Sequence, residues 1–328
     1  MSYALGSSDA PAIYSLPREL PWERIAPALE RAEEGLARLD ERLKGNTLAE
    51  GWIERSHFVE ACAALYLDGE LVHLEDLVLR DAHMDVRTAT HATARAMSVL
   101  RARRLAQRRE GAWLLTSAGI EALRGGRSVT SNPSRDKPEL VYEIDWDEEE
   151  RLEEWREVVT QTASLPALVA AALAYDAWCR IAPLQRAGWL GSILVSGLLK
   201  GRGKTRHHLL GLSTGMRACS YRRAHFHDLG QRLAGFLDGV ATAAALGHKD
   251  LDRLTLAQER LSLKLKGRRS TSRLPDLIGL ILSRPLISVP LAAKELKVTP
   301  QAVEGMLKEL GSLRELTGRG RYRAWGIV

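Results

Sequence analysis

Near the C-terminus, Thr299, Gln301, Ala302, Gly305 and Lys308 fall at spacings that put them on the N-terminal and outward side of one short helix. An amide such as that of Gln301 can pair bidentately with adenine, while a hydroxyl or an ammonium reaches base edges or phosphates. A few residues on, Arg319, Arg321 and Arg323 alternate with Gly320 and Tyr322, a spacing that offers guanidiniums to phosphates or to a minor groove. This is the chemistry of duplex DNA recognition. The charge distribution agrees with it. Residues 268–328 hold eleven Lys/Arg and five Asp/Glu, a net +6, which is the net charge of the whole chain with its 47 Lys/Arg and 41 Asp/Glu. The first 267 residues therefore balance at 36 against 36. Excess charge confined to one segment favours a polyanion, because phosphate neutralisation releases counterions. A solvated basic tail would carry the same charge without apolar periodicity.

The elements that must position these residues are readable around them. Leu277, Ile278, Leu280 and Ile281 recur at helical spacing behind Pro275, which suits a first helical turn, and Pro285 ends that helix. A second helix is predicted from Val289 to Leu296, with Leu291, Ala292 and Leu296 inward. Lys297 and Val298 make a tight turn, Thr299 is a good N-cap, and Val303, Met306, Leu307 and Leu310 line one face of a third helix that Gly311 ends. Residues 313–316 and 322–327 read as two strands around a tip at 317–321. The segment 274–328, through Leu291-Ala292-Ala293-Lys294-Glu295-Leu296-Lys297-Val298-Thr299 and the Gly-Arg-Gly-Arg tip, resembles the winged helix that ends many bacterial regulators. A winged helix used only for packing or dimerisation is the competing reading.

The chain's 328 residues suffice for two or three domains, and 45% apolar with 27% charged residues is ordinary for a soluble globular protein. Cys62, Cys179 and Cys219 are far apart, without a CxxC or Cys/His pairing, and read as reduced, mostly buried thiols in a cytoplasmic protein. His207 and His208 are adjacent, so they point apart on a helix, and His225 and His227 lie in helical surroundings; no metal is expected. The N-terminus lacks the basic start and apolar stretch of a signal peptide. The longest apolar run, Leu165 to Tyr175, is too short to span a bilayer and reads as a buried core helix.

Upstream of the winged helix the pattern is helical almost throughout, giving a mainly α chain. Residues 1–124 form an N-terminal helical region. It begins with an irregular arm to about residue 20, followed by a helix over 21–44 carrying Ile25, Leu29, Leu36, Leu39 and Leu43. A helix follows over 51–67, then a short one bearing Leu71, Leu74, Leu77 and Val78, then a long one over 90–109. The last carries Arg95, Arg101, Arg103, Arg104, Arg108 and Arg109 and is read as a solvated face balanced by acids from outside it, with a second phosphate surface as the alternative. Residues 125–138, rich in Gly, Ser, Asn and Pro, form a linker. A helical core spans 139–266, its first helix opening on the acidic run from Asp145 to Glu154, and the winged helix occupies 267–328. The loop Gly201-Arg202-Gly203-Lys204-Thr205-Arg206 ends like a phosphate-binding loop but lacks the first glycine and a preceding strand. It reads as a basic surface loop that could touch DNA.

The core resembles the Fic (filamentation-induced-by-cAMP) domain over Leu165–Gly239. The resemblance rests on the helix Leu165-Pro166-Ala167-Leu168-Val169-Ala170-Ala171-Ala172-Leu173 and on the turn Ile181-Ala182-Pro183-Leu184-Gln185-Arg186-Ala187-Gly188-Trp189. The segments His208-Leu209-Leu210-Gly211-Leu212-Ser213 and Tyr221-Arg222-Arg223-Ala224-His225 complete it. Asp68 stands where that family's inhibitory-helix glutamate would be. The layout is also similar to a family of uncharacterised helix-turn-helix proteins from rhizobia and relatives. The resemblance implies a multi-helical bundle, and its departures imply that the reaction is gone. Nucleotidyl transfer needs a base, a carboxylate holding Mg²⁺ and an anion-binding nest. Ala182 occupies the base position, no Asp or Glu lies between Asp176 and Asp228, and Gly188-Trp189 replaces the nest, with the indole filling the phosphate space. Loss of the base alone would cost about 10²–10⁴ in rate.

The expectation is thus a cytoplasmic transcriptional regulator without a cofactor, a homodimer on double-stranded DNA, with an inactive Fic-like scaffold open to an effector or a protein partner. Two alternatives stand beside it: a divergent transferase using His207, His208 or His225 as base, and a protein-interaction module.

Overall fold

Several helices begin where the sequence supplies an oxygen to the first free amides. The side chain of Thr90 accepts from the Thr93 amide, that of Thr116 from Gly119, that of Asp147 from Glu149 and Glu150, and that of Asp228 from Gln231. In the computed structural model, which describes residues 12–83, 90–125, 146–265, 272–311, 313–315 and 323–327, these starts belong to a mainly α chain. The body comprises α1 (Trp22–Leu43), α2 (Ala49–Leu67), α3 (Leu74–Asp81), α4 (His91–Arg108), α5 (Gly111–Leu114), α6 (Ser117–Leu123), α7 (Glu148–Gln161), α8 (Ala167–Ile181), α9 (Leu190–Gly201), α10 (Leu212–Ala218) and α11 (Leu229–Leu263). The C-terminal part adds α12 (Leu274–Ser283), β1 (Ile287–Ser288), α13 (Val289–Leu296), α14 (Pro300–Leu310), β2 (Arg314–Glu315) and β3 (Ala324–Gly326).

The body is organised around α8 and α11. Helix α8 is the expected apolar core helix, with twelve of its fifteen residues buried. Helix α11 is a single rod of 35 residues where several shorter helices were expected. Helix α1 runs alongside it in the same direction, in a register marked by ion pairs Arg24–Asp228 (3.0 Å), Arg31–Asp238 (2.8 Å) and Arg42–Asp252 (2.7 Å). These pairs are half exposed, so they fix register more than they stabilise. Stability along the seam comes from the apolar faces, with Ile25, Leu36, Leu39 and Leu43 of α1 buried.

The expected linker lies almost wholly within residues 126–145, outside the described residues. On either side of it the helices share cores: Phe58, Leu100 and Ile120 pack in one cluster with Trp155, Trp178 and Ile193, and Ile25 and Leu36 in another with Leu168 and Phe236. The N-terminal helices and the Fic-like helices form one packed body.

Five local expectations change. Arg103 lies inside, fully buried, instead of on a solvated face: its guanidinium donates to the carbonyls of Leu209 and Leu210 and lies 3.7 Å from Glu60. Its neighbours follow the balanced reading, Arg95 pairing with Asp68 and Glu70, and Arg104 with Glu54 and Asp81. The 201–206 loop is free at its surface only in part, Arg206 being exposed while its neighbours are engaged. Arg202 donates to the carbonyls of Ala163 and Leu165, Lys204 pairs with Glu33, and Thr205 is buried. His207 and His208 sit in irregular chain between α9 and α10 rather than on a helix. Finally, Leu71 precedes α3 and is exposed, and of the cysteines only Cys62 is fully buried, Cys219 being exposed.

Glu60 ties this interior together. Its carboxylate accepts from the amides of Ser213 and Thr214 (2.8 Å each) and from the Thr214 hydroxyl (2.7 Å), capping α10 while facing Arg103. Glu60→Ala should lower the unfolding free energy by about 3–5 kcal/mol, because it leaves a buried guanidinium without its anion. Leu71→Ala, at an exposed position, should move it by less than about 0.5 kcal/mol. Urea titration of the two variants measures both.

Candidate nucleic-acid interface

The C-terminal part is built by short-range signals. Ser288 Oγ accepts from the Leu291 amide to start α13, and Thr299 Oγ1 accepts from the Ala302 amide to start α14. Between these helices Lys297 adopts a left-handed conformation (φ 55°), and its amide returns to the carbonyl of Ala293. Gly311, also left-handed at φ 61°, closes α14. Leu291 of α13 is buried, and Ala292 of α13 is buried in one cluster with Val303, Leu307 and Leu310 of α14. Strand β3 pairs antiparallel with β2, the expected hairpin, and also with β1, a two-residue strand after Pro285 that periodicity cannot reveal.

This packing turns one face of α14 to solvent. Thr299, Gln301, Ala302, Gly305 and Lys308 are all exposed, so the five residues share the face expected of them. A side chain at Gly305 would meet nothing within 4 Å, so the middle of that face is flat and unobstructed. Two further features join it. Glu304 is exposed between the others and can accept from a cytosine amino group, and Lys294 and Lys297 flank the entry to α14. The (i, i+3) spacing from Gln301 and the (i, i+4) spacing to Lys308 place Glu304 on this face. On the wing, Arg323 is exposed and lies 3.5 Å from Glu315, so an acid on the neighbouring strand shares its charge. Arg319 and Arg321 lie outside the described residues.

The winged helix is seated on the body. Helix α12 buries Leu274, Leu277, Ile278, Ile281 and Leu282 in a cluster that includes Leu39, Leu43 and Trp52 of α1 and α2 and Leu254 and Leu261 of α11. The backbone of Gly51 comes so close to the carbonyl of Leu282 that an added side-chain carbon would lie 3.0 Å from it. Arg55 donates to the carbonyls of Ile281 and Arg284 at the end of α12, where the helix leaves acceptors free. Burial lowers the Arg55 guanidinium to about 10, still charged at neutral pH.

The turn after α8 is filled rather than open. Ala182 sits at φ 46° and ψ 61°, terminating α8 with its amide bonded to the Trp178 carbonyl at 2.9 Å. Ile181, Pro183 and Leu184 are buried, and Gly188 is exposed. The Gly188 carbonyl accepts from the Trp178 indole at 3.0 Å, and Arg151 donates to the Ile181 carbonyl. Trp189 is buried at the start of α9, and the first α9 amides, Leu190 and Gly191, return to the carbonyls of Ala187 and Gly188. A methyl at Gly191 would lie 2.3 Å from the Trp178 ring. What faces this turn is indole and carbonyl oxygen, with the Arg151 guanidinium on the Ile181 carbonyl and the Glu148 carboxylate 3.4 Å from the Gln185 amide. The three histidines considered as bases are elsewhere: His208 is held by Asp40 of α1, His207 precedes it, and His225 lies in the single turn 223–225. Asp68 is engaged by Arg95 at 2.8 Å. Among the described residues no three His, Cys, Asp or Glu side chains are grouped as metal ligands, and no helix is long and apolar enough to cross a membrane.

Comparison with known proteins agrees with this division. Residues 140–266 match a family described as "Protein of unknown function (DUF1612)", and residues 274–328 match one described as "HTH DNA binding domain". An uncharacterized protein, y4cF, of Sinorhizobium fredii (strain NBRC 101917 / NGR234) is 38% identical over 93% of this chain and 97% of its own length. The chain belongs to the same family as this rhizobial protein. Its fold has a solved counterpart in a Fic family protein from Desulfovibrio desulfuricans G20, with a TM-score of 0.53 and 11% identity over 97% of this chain and 98% of that one. In this chain a DUF1612 domain within a Fic-like fold is thus joined to a C-terminal helix-turn-helix DNA-binding domain.

Where the resemblance calls for a base, the structure has a left-handed alanine, a conformation that costs an L-residue about 1–2 kcal/mol. Ala182→Gly should therefore raise the unfolding free energy by about 1 kcal/mol, as glycine does at a left-handed helix end. A lower urea midpoint for that variant would show that the turn needs the methyl group.

Proposed function

We propose that this protein is a transcriptional regulator that binds double-stranded DNA as a homodimer, using α14 as the reading helix and the wing as a phosphate clamp. The observation that carries the reading is the solvent-facing set Thr299, Gln301, Ala302, Gly305 and Lys308 on a helix whose opposite face is locked into a core shared with the body. In a helix-turn-helix that face enters the major groove. A homodimer is proposed because one winged helix reads too few base pairs for specificity in a genome. The Fic-like body is proposed to be a pseudoenzyme and to act as scaffold. Ala182 offers no proton acceptor, and the turn beside it is occupied by Trp178 and Trp189 where transfer would need an anion nest.

Deleting the winged helix would strip the cover from Trp52, Leu254 and Leu261, so point substitutions on the outer face are the cleaner test. In mobility-shift titrations, Gln301→Ala should weaken binding to the preferred site by about 1–3 kcal/mol and leave non-specific DNA nearly unaffected. Lys308→Ala and Arg323→Ala should weaken both and flatten the salt dependence by about one unit of slope each. Equal affinity of all three variants and the wild type would overturn the assignment. Incubation of the wild type and of Ala182→His with labelled ATP and Mg²⁺ should show no transfer. Transfer by the wild type would establish an enzyme instead.

A further inference from the structure

The last turns of α11 repeat a five-residue pattern seven residues apart, Asp252-Arg253-Leu254-Thr255-Leu256 and Glu259-Arg260-Leu261-Ser262-Leu263. Seven residues make two helical turns to within about 20°, so equivalent positions stack on one line along the rod. Leu254 and Leu261 form the inner line, each 2% exposed and clustered with Trp52 and with Leu274 and Leu277 of α12. Leu256 and Leu263 form a second line on the opposite side, 53% and 60% exposed. The inner line already gives this stretch its core face, so the inward packing of α11 does not account for the outer one.

The charged residues are ordered about the outer line. In each repeat the acid lies four residues before the outer leucine and the arginine three before, so acids run along one flank and arginines along the other. Asp252 holds Arg42 of α1 at 2.7 Å, and Arg253 lies 3.2 Å from Asp250. Glu259 and Arg260 are exposed and have no ion-pair partner among the described residues. Lys264 extends the basic flank, and Lys249 continues the leucine line towards the body, where its stem lets the ammonium swing outward. Helix α1 ends at Leu43, beside Asp252, so the second repeat projects beyond it.

We propose that this line is the contact between two copies of the chain, which pair through α11 in parallel about a two-fold axis running along the rods. Leu256 and Leu263 then meet their own counterparts across the axis. The acidic flank of each rod faces the arginine flank of the other, with Glu259 opposite Arg260 of the second copy. An antiparallel pair would set arginines against arginines and acids against acids. A two-fold dimer needs one patch that complements itself, and the repeated pattern supplies it. The arrangement also leaves both winged helices at one end of the pair, because α12 packs on the same stretch of α11. A two-fold reader has to turn both reading helices to one duplex. The seam is short, so the free dimer should be weak and should tighten where two half-sites hold both copies. This gives the proposed homodimer its surface and rests on that part of the reading; whether α14 reads DNA does not depend on it.

Sedimentation velocity of the full chain over a concentration series, with and without duplex DNA, tests the seam. The wild type should pair reversibly, and if pairing is seen only on DNA the variants should act on it there. Leu256→Asp with Leu263→Asp, both at exposed positions, should raise the dissociation constant by at least about tenfold with an unchanged circular dichroism spectrum. Glu259→Arg and Arg260→Glu should each weaken the dimer by about fivefold to tenfold, because each sets like charges together on both sides of the axis. Both exchanges in one chain, or an equimolar mixture of the two single variants, should restore it. A wild type that is monomeric at every concentration and on DNA, a dimer indifferent to the two aspartates, or a double exchange as weak as the single ones overturns the parallel seam. Dimers that vanish with the leucines in a chain that binds no DNA would sink the DNA reading and leave the seam standing. DNA-bound dimers that persist in the aspartate variant would sink the seam alone.

Discussion

The constraint on which the rest depends is that the winged helix shares its core with the body. Its first helix, α12, meets α2 and α11, and Leu277, Ile281 and Leu282 are buried in a cluster that also holds Trp52, Leu254 and Leu261. At roughly 25 cal/mol per Å² of apolar surface removed from water, such a shared face stabilises the contact well beyond what a flexible tether would give. Arg55 adds direction, because its donors fit the free carbonyls at the end of α12 and fix how that helix meets α2. The position of α14 is thereby set by the body, two layers of packing away. Anything that alters the seam bears on where the reading face points.

The body shares a fold with a Fic family protein, and the proposed reading makes it a scaffold. A likeness at 11% identity carries architecture alone, and function has to be argued from the site. At that site the side chains have become fillers and terminators. Ala182 ends a helix in a conformation glycine would hold more cheaply, Trp178 covers the Gly188 carbonyl, and the first amides of α9 bond within their own turn. Each is sound packing, and none offers a proton acceptor or an anion cradle. The polar investment lies instead in Arg103 with Glu60 and in His208 with Asp40, pairs that knit α1, α2, α4 and the segment before α10. A buried pair of this kind is costly to leave incomplete, which ties these segments to one another.

What the sequence disclosed was what short-range chemistry decides. Thr299 and Gly311 bracket α14, Pro275 lies in the first turn of α12, and the apolar spacing in α13 and α14 put Thr299, Gln301, Ala302, Gly305 and Lys308 on the exposed face. The apolar run of α8 was equally legible, since it is a matter of residue identity. Long-range partners were not. Arg103 sits among other arginines in sequence, and only the fold brings Glu60 and the Leu209 and Leu210 carbonyls to it. The loop at 201–206 looked free for the same reason: the acceptors for Arg202 and the acid for Lys204 come from residues more than thirty positions away. Strand β1 is two residues long and owes its existence to β3, so no local period announces it.

These hidden pairings also explain why the charge pattern points where it does. The body carries as many acids as bases, and many of its arginines are matched inside it, Arg24, Arg31 and Arg42 along α11 and Arg95 and Arg104 beside α2. On the winged helix, Lys294, Lys297 and Lys308 are exposed with no ion-pair partner among the described residues. At about 0.15 M salt the field of an exposed charge fades within roughly 8 Å, so a balanced body contributes little to the potential at the reading face. Attraction to a polyanion therefore originates where the unmatched lysines stand, and their placement around α14 makes the attraction directional. A net charge of +6 spread evenly over the chain would favour contact in any orientation; concentrated as it is, it presents the helix whose outer face carries Gln301.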